Sequence, residues 1–536
     1  MPKLSKAIEE IVKRYQEWQR LSQLKEGAST IHVDEVASRV AAFYEKIKGV
    51  VEWREEHLLR KGAIERSLKR RVFLKEEDNV KELAESLVYE LIRGGHFPND
   101  KIPESKINDI QRILEKYFFI FRKMPKIAEE EIKLRDWLIE IASYEIEKTL
   151  APILKEELLI NLMTDSLKEK IVINKGIISI GGISEKEKEI QIFIACQKSL
   201  FKFDEPIISY YLLNKKYPNW PKISPKEKEV LLEISKNIYN TKQEIKSHLN
   251  HPASEKFFSV CERNTAPYLI LGDIIFSNSS DILEKINDPE ALEGLIKKAY
   301  RQRLTKLKKR IGRAAVYSTV SVFITKIALA IAIEIPIDKY ITGSFNGLSL
   351  GINILFPPFL MFLLVSTIKP PSKDNLQKLT MEIMKLCYSQ KNNDAYEIKI
   401  AKKSKGALSA IVFLFYGLTF IVSFAIIIEV LKKLNFGILS MAIFIFFVSV
   451  ISFLGVKIRE RSKELTVGTK KEGFIQSIFD FFTLPIVLVG KWLSEKWSKL
   501  NVALIISILI DAPLLTFVEF LEQWRYFLKE KKEKIH

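Results

Sequence analysis

An abrupt boundary between a cationic run and an apolar segment constrains this chain more than any other feature. Residues 297–313 contain nine lysines and arginines, and an apolar stretch, residues 314–333, follows at once. Its length matches the roughly 20 residues that a helix needs to cross the hydrocarbon core of a bilayer. We therefore predict a water-soluble region before the boundary and a membrane region after it.

The net charge of +18 belongs to one half of the chain. Residues 297–536 contain 36 lysines and arginines against 17 aspartates and glutamates, whereas residues 1–296 contain 48 against 49. A strongly basic soluble domain would indicate nucleic-acid binding, because phosphate neutralisation dominates that affinity. The first half is neutral, so we expect no nucleic-acid partner, and the cations of the second half flank apolar segments instead.

Four apolar segments are long enough to span a bilayer, and they are residues 314–333, 348–368, 407–428 and 436–456. The connections between them alternate between cation-rich and cation-poor. Cytoplasmic loops carry an excess of Lys and Arg, so this alternation predicts a multi-pass protein of the plasma membrane. The N-terminal domain, the loop 369–405 and the C-terminus are all expected to face the cytoplasm.

The apolar residues 474–528 allow two interpretations. Polar stripes at helical spacing, one that includes Asp480 and a second that includes Asp511, are typical of amphipathic helices in the membrane interface and also of spanning helices that face a bundle interior. We favour a membrane-embedded hairpin on the cytoplasmic face, partly broken at Pro485 and Pro513.

The first 296 residues predict helices almost throughout, because apolar residues recur there at helical spacing. The segment 94–103, rich in Gly, Pro, Asn and Asp, is expected to separate a helical subdomain 1–93 from a second one, 104–296, with 297–313 as a basic juxtamembrane segment. Residues 171–182 could form a small hairpin or a loop. The predicted fold class is all-α, with a large cytoplasmic helical domain followed by a polytopic α-helical membrane domain.

Lys326 stands in the middle of the first span, where an ionisable residue costs roughly 2.5 to 3.5 kcal/mol on insertion scales. We expect it to face the bundle and to be paired or deprotonated, with Asp480 and Asp511 as the intramembrane acids considered as partners, unless its side chain extends to the membrane surface. Glu334 and Glu429 lie near span ends and are expected to reach water. A Lys-Asp pair could line a path for an ion or solute, or it could only fix helix packing.

Two clusters of cations are candidates for contact with anionic lipid headgroups on the cytoplasmic side. The first is the juxtamembrane set Arg301, Arg303, Lys308, Lys309, Arg310 and Arg313. The second lies in residues 60–71, where acids at helical spacing favour an ordinary solvated helix face over a binding site.

The sequence contains no motif that predicts catalysis, and catalytic residues stay unknown. His248 and His251 lie one helical turn apart but lack the paired ligands of a zinc site, so neither a metal nor a cofactor is expected. Three functions remain open. The favoured one is an interaction or scaffold role with an unidentified cytoplasmic protein partner; the alternatives are a small-solute or ion transporter or channel and an interfacial lipid-modifying enzyme.

Overall fold

The computed structural model describes residues 4–22, 29–33, 56–73, 79–126, 128–152, 154–173, 183–277, 281–341, 346–368, 371, 373–388, 395–398, 407–468, 474–499, 520, 524 and 527. This part of the chain is helical apart from two three-residue strands, which confirms the predicted all-α class.

The helices that precede the boundary are α1 Lys6–Ser22, α2 Glu56–Phe73, α3 Val80–Arg93, α4 Ser105–Lys123, α5 Ala128–Leu150, α6 Leu154–Lys170, α7 Glu185–Phe201, α8 Glu205–Lys216, α9 Lys228–Leu249, α10 Ser254–Arg263, α11 Thr265–Ile275 and α12 Ile282–Asn287. Those that follow are α13 Pro289–Leu329, α14 Gly347–Ser366, α15 Lys373–Cys387, α16 Ala407–Lys433, α17 Ile438–Ser462 and α18 Phe474–Lys499. The strands are β1 Ile171–Ile173 and β2 Tyr396–Ile398.

The N-terminal helices share one hydrophobic core. It runs from Ile8 on α1 through Leu87 on α3 and Ile192 on α7 to Leu307 on α13, all buried. The core continues across residues 94–103, because Phe97 and Ile102 are themselves buried in it. Residues of both predicted subdomains therefore contribute to one core.

The loop between the second and third spans belongs to this same core. Helix α15 places Leu379, Ile383 and Cys387 on one face at a spacing of four residues, and all three are fully buried there. The Tyr388 hydroxyl donates a hydrogen bond to the Ile286 carbonyl at 2.7 Å. The middle loop and the N-terminal domain consequently lie on the same side of the spans.

A short parallel pair of strands also connects the middle loop to the N-terminal domain. Strand β1 pairs with β2, with Ile171 opposite Tyr396 and Ile173 opposite Ile398. The partner of β1 thus comes from the middle loop, and the hairpin or loop considered for residues 171–182 stays a prediction. Residues 174–182 lie outside the described part.

Helix α13 joins the domain to the spans without a break. Asp288 caps it by accepting a hydrogen bond from the Glu290 amide at 3.1 Å, and Pro289 occupies its first turn, where the missing N–H costs nothing. Its 41 residues correspond to about 62 Å at 1.5 Å per residue. The basic juxtamembrane segment is thus the middle of one helix.

In the part of the chain that the structure describes, four helices are long and apolar enough to cross a membrane, in agreement with the four predicted segments. They turn large apolar side chains outward, among them Val316, Phe359 and Phe413, which is 77% exposed. An outward apolar face of this kind suits contact with lipid tails.

Helix α18 packs closely on α17. A Cβ added at Gly490 would lie 1.9 Å from the Ser449 carbonyl oxygen, so only glycine permits this approach. The helix continues through Pro485, where a break had been predicted. Residues 500–519, including Pro513, lie outside the described part, so the second arm of the predicted hairpin stays a prediction.

Candidate functional site

The first span holds a buried lysine with two polar partners. Lys326 on α13 is 0% exposed, and its Nζ donates to the Asn353 Oδ1 at 2.8 Å and to the Glu334 Oε1 at 3.2 Å. The ammonium also lies 4.6 Å from the centroid of the Phe447 ring, a favourable cation-π distance. The Lys326 ammonium of α13 is thus contacted by side chains of α14 and α17 as well.

Asn353 closes this cluster. Its Nδ2 donates to the Glu334 Oε2 at 2.7 Å and lies 3.4 Å from the Ser440 carbonyl, which accepts from it as well. The amide bridges both ions, accepting from Lys326 and donating to Glu334. We call Lys326, Glu334 and Asn353 the intramembrane triad; all three side chains are fully buried.

A π-helical segment brings the two ions of the triad together. In a straight α-helix, residues eight apart lie about 80° apart around the axis. Ala330–Glu334 is a π-helix, whose i to i+5 hydrogen bonds put more residues in each turn and so turn less per residue. The wider turn rotates Glu334 back towards the face of Lys326. Such segments occur frequently at functional sites.

The helix that presents Asn353 carries its own irregularity one turn later. Pro357 and Pro358 stand inside α14, and proline has no N–H to give to the carbonyl four residues earlier. The Asn353 carbonyl therefore lacks its helical donor, next to the side chain that binds both ions.

The structure changes the partner of Lys326. The prediction that Glu334 reaches water is wrong, because the residue is 0% exposed and holds the lysine. Asp480 lies on α18 with its side chain outside the described part, and Asp511 lies outside it altogether. Pairing with either aspartate is therefore untested.

The triad confines a proton-accepting carboxylate and an ammonium in a region without bulk water. Opposite charges attract more strongly there than in water, because the dielectric is low. The neutral amide of Asn353 lies between them and can form a hydrogen bond with each ion. The arrangement could hold a charge pair fixed, or respond to a change in protonation or field.

The juxtamembrane cations occupy different positions on α13. Arg303 bridges two carboxylates, with its Nε 2.9 Å from the Asp273 Oδ2 and its Nη1 3.3 Å from the Glu464 Oε1. It ties the domain to the segment after the fourth span. Asp273, which has no visible partner in the sequence, is therefore paired; burial raises its pKa, and Arg303 opposes that shift.

The remaining juxtamembrane candidates Arg301, Lys308, Lys309, Arg310 and Arg313 are exposed. Among the described residues, no carboxylate forms an ion pair with Lys308, Lys309 or Arg313. These cations remain candidates for headgroup contact, whereas Arg303 is committed to acids of the chain itself.

A second buried ion pair lies in the N-terminal domain. Lys116 on α4 is 1% exposed and donates to the Glu145 Oε1 at 2.6 Å and to the Trp220 carbonyl at 3.0 Å. The other Glu145 oxygen accepts from the Tyr117 hydroxyl at 2.8 Å and the Trp220 indole at 3.0 Å. Burial lowers the pKa of Lys116, and Glu145 opposes that shift.

Other polar groups singled out in the sequence are accounted for structurally. In residues 60–71, ion pairs link Arg60 to Glu147 at 2.9 Å, Lys61 to Asp204 at 2.7 Å and Arg71 to Glu90 at 2.8 Å. His248 contacts Glu187 at 2.8 Å. Within the described residues, no group of three or more His, Cys, Asp or Glu side chains could hold a metal ion.

No protein-family model, curated protein or solved structure matches this chain.

Proposed function

We propose that this protein is a membrane-integrated scaffold that holds its helical domain against the cytoplasmic face of the plasma membrane and binds a protein partner there. The supporting observation is the shared core. Chain segments before the first span, after the second and after the fourth all contribute to it, through Ile296, Ile383 and Leu465. A domain tied at three points moves with the spans, whereas a single anchor with a flexible linker would leave it independent.

The domain offers several apolar side chains to a partner. Ile132 on α5 is 66% exposed, and Val230 and Leu232 on α9 are also exposed. Isolated apolar side chains are ordinary on protein surfaces. A photoreactive side chain at these positions would lie within reach of a protein bound to the domain.

A photocrosslinking scan tests this proposal. A photoreactive amino acid replaces Ile132, Val230 or Leu232 in the full chain, and Val316 and Phe413 serve as controls on the outward face of the spans. We expect a discrete protein adduct from one or more domain positions and mainly lipid adducts from the controls. Domain positions that yield no protein adduct in native membranes would contradict the scaffold role.

The orientation has its own test. Lys339 follows the first span and Lys378 lies on α15, and both are exposed. The three native cysteines are buried, so an introduced cysteine dominates labelling. We expect a membrane-impermeant thiol reagent to label Lys339→Cys in intact cells and Lys378→Cys only after permeabilisation. The reverse pattern would invert the proposed orientation.

The intramembrane triad supports a second candidate, an ion or proton path. Ionisable residues within spans mark such paths more often than chance, and the π-helix and the prolines supply the irregular backbone found at transporter sites. In reconstituted vesicles, Lys326→Met and Glu334→Gln should each abolish a flux that Lys339→Gln preserves. Absence of any flux in the unmodified protein would leave the triad with a packing role.

A further inference from the structure

A cleft opens between α13 and α14 where the basic segment passes into the first span. It has a volume of about 290 Å³. Its walls are Leu304, Leu307, Ile311 and Ala315 of α13, Phe362 and Val365 of α14, with Pro371 and Ser462 at one end. We call it the juxtamembrane cleft. Its α13 wall extends over twelve residues, from Leu304 to Ala315, or about 16 Å from the first to the last.

The cleft is apolar inside and cationic at its edge. Gly312 and Ala315 are small, which leaves room between the two helices, and nothing lies within 4 Å of a Cβ placed at Gly312. Lys308 lines the cleft, and Lys309 and Arg313 are exposed on the adjoining turns. As noted above, none of these three cations forms an ion pair within the described part of the chain.

We propose that the juxtamembrane cleft binds one anionic phospholipid. An acyl chain would bind against the apolar walls, because burying each of its methylenes there is favourable. The phosphate then lies at the cationic edge, where Lys308 supplies the opposite charge. Basic pockets between spans on the cytoplasmic side bind anionic headgroups in this way. The inference rests on the four helices lying in a bilayer and does not depend on a protein partner.

Position and charge select this ligand over others. A soluble anion would not use the apolar walls, and a neutral lipid would not use Lys308. The neighbouring Arg303 is already paired with Asp273 and Glu464, so we do not assign it to the phosphate.

The test uses the full chain in phosphatidylcholine vesicles that contain phosphatidylglycerol with a photoreactive acyl chain. Adducts are mapped by mass spectrometry of peptides. We expect labelling of α13 and α14 beside the cleft, stronger for phosphatidylglycerol than for equally photoreactive phosphatidylcholine. Lys308→Gln should lower the labelling by phosphatidylglycerol about fivefold, the effect of one cation near a headgroup.

Two further variants separate the cleft from lipid that merely surrounds the spans. Gly312→Leu fills the cleft, whereas Gly417→Leu adds the same side chain to α16 at a glycine that also has open space. Gly312→Leu should lower cleft labelling at least about fivefold, since it replaces several acyl methylenes; Gly417→Leu should leave it unchanged. Ala315→Leu repeats the test should Gly312→Leu fail to fold.

Each contrary result has a separate meaning. Equal cleft labelling by both lipids, or labelling unchanged in Gly312→Leu, would overturn the proposal and indicate surrounding lipid only. Full competition by inorganic phosphate would overturn it too, because the cleft would then select the phosphate alone. Acyl adducts at the outward residue Phe413 report independently that the spans lie in the bilayer, so their absence would instead contradict the membrane placement.

Discussion

Lys116 in the N-terminal domain and Lys326 among the spans are buried in nearly the same way. Each pairs with a glutamate, and each ammonium lies 4.6 Å from the centroid of an aromatic ring, Trp220 in one case and Phe447 in the other. What differs is the state that each lysine enters on unfolding. Lys116 returns to water, whereas Lys326 stays within the membrane if its helix remains inserted.

Similar geometry therefore does not mean similar stabilisation of the two regions. When a domain unfolds into water, both ions of a buried pair become hydrated. If one partner is removed, the remaining buried ion therefore lowers the free energy of unfolding by its full desolvation cost. In a membrane, the polar groups of the unfolded state also form hydrogen bonds. Interhelical hydrogen bonds therefore contribute little to the free energy of unfolding.

The largest effect is expected in the domain. Glu145→Gln leaves Lys116 buried without its counter-charge and should lower the free energy of unfolding by roughly 3 to 5 kcal/mol. Urea unfolding in detergent, followed by circular dichroism, measures it. The double variant Lys116→Met, Glu145→Gln should recover part of the loss, because it removes the unpaired charge and keeps an oxygen that accepts from Tyr117 and Trp220. A single variant as stable as the unmodified chain would show that the pair is dispensable.

Two glycines give the next comparison. A Cβ at Gly490 would meet the Ser449 backbone oxygen at 1.9 Å, whereas one at Gly272 would meet the Leu159 Cδ1 at 2.5 Å. A leucine side chain can rotate away, but a backbone carbonyl cannot. We expect Gly490→Ala to cost about 1 to 3 kcal/mol and Gly272→Ala less. Heating in detergent followed by size-exclusion chromatography ranks them, and the opposite ranking would refute the argument.

Glu334→Gln is the isosteric counterpart of Glu145→Gln in the spans. It should lower the free energy of unfolding by only about 0.6 to 1.7 kcal/mol, the range of interhelical polar contacts in membranes. The same urea experiment measures it. A loss as large as that of Glu145→Gln would mean that Lys326 leaves the membrane on unfolding, and the proposed distinction would fail.

The smallest effect concerns an ion pair that is only partly buried. Burial alone would raise the pKa of Glu90, but Arg71 and Arg70 outweigh it and hold the pKa below its usual 4.5. The pair therefore stabilises the fold above that value, and the contribution is lost as the pH falls below it. The difference in melting temperature between the unmodified chain and Glu90→Gln should shrink from about pH 7 to about pH 3. A constant difference would contradict this.

The spans and the exceptional Lys326 could be predicted because span length and a charge within an apolar run are local properties of the sequence. Its partner could not. Glu334 reaches Lys326 through a π-helix, and the residues Ala330–Glu334 carry no local sign of one. Asn353 lies one turn before Pro357 and Pro358, and nothing else in the sequence marks it as a partner of Lys326.

Contacts within the domain could not be predicted from the sequence for a different reason. Lys116 stands beside Tyr117 in an amphipathic helix, where it resembles any surface lysine until Glu145 and Trp220 are brought to it by tertiary packing. Leu379 and Ile383 recur at helical spacing and could have indicated an amphipathic helix in the middle loop. Its docking site was not predictable, because it involves residues about a hundred positions earlier.

The three-point attachment of the domain sets an order for its synthesis. Ile296 leaves the ribosome before two complete spans, Ile383 and Ile398 of the same core follow about a hundred residues later, and Leu465 follows only after the fourth span. At about 5 to 20 residues per second, part of the domain's apolar surface stays uncovered for roughly 8 to 34 s before Leu465 is made. The second span must already have returned the chain to the side where the domain waits, so correct insertion becomes a condition for the domain to fold.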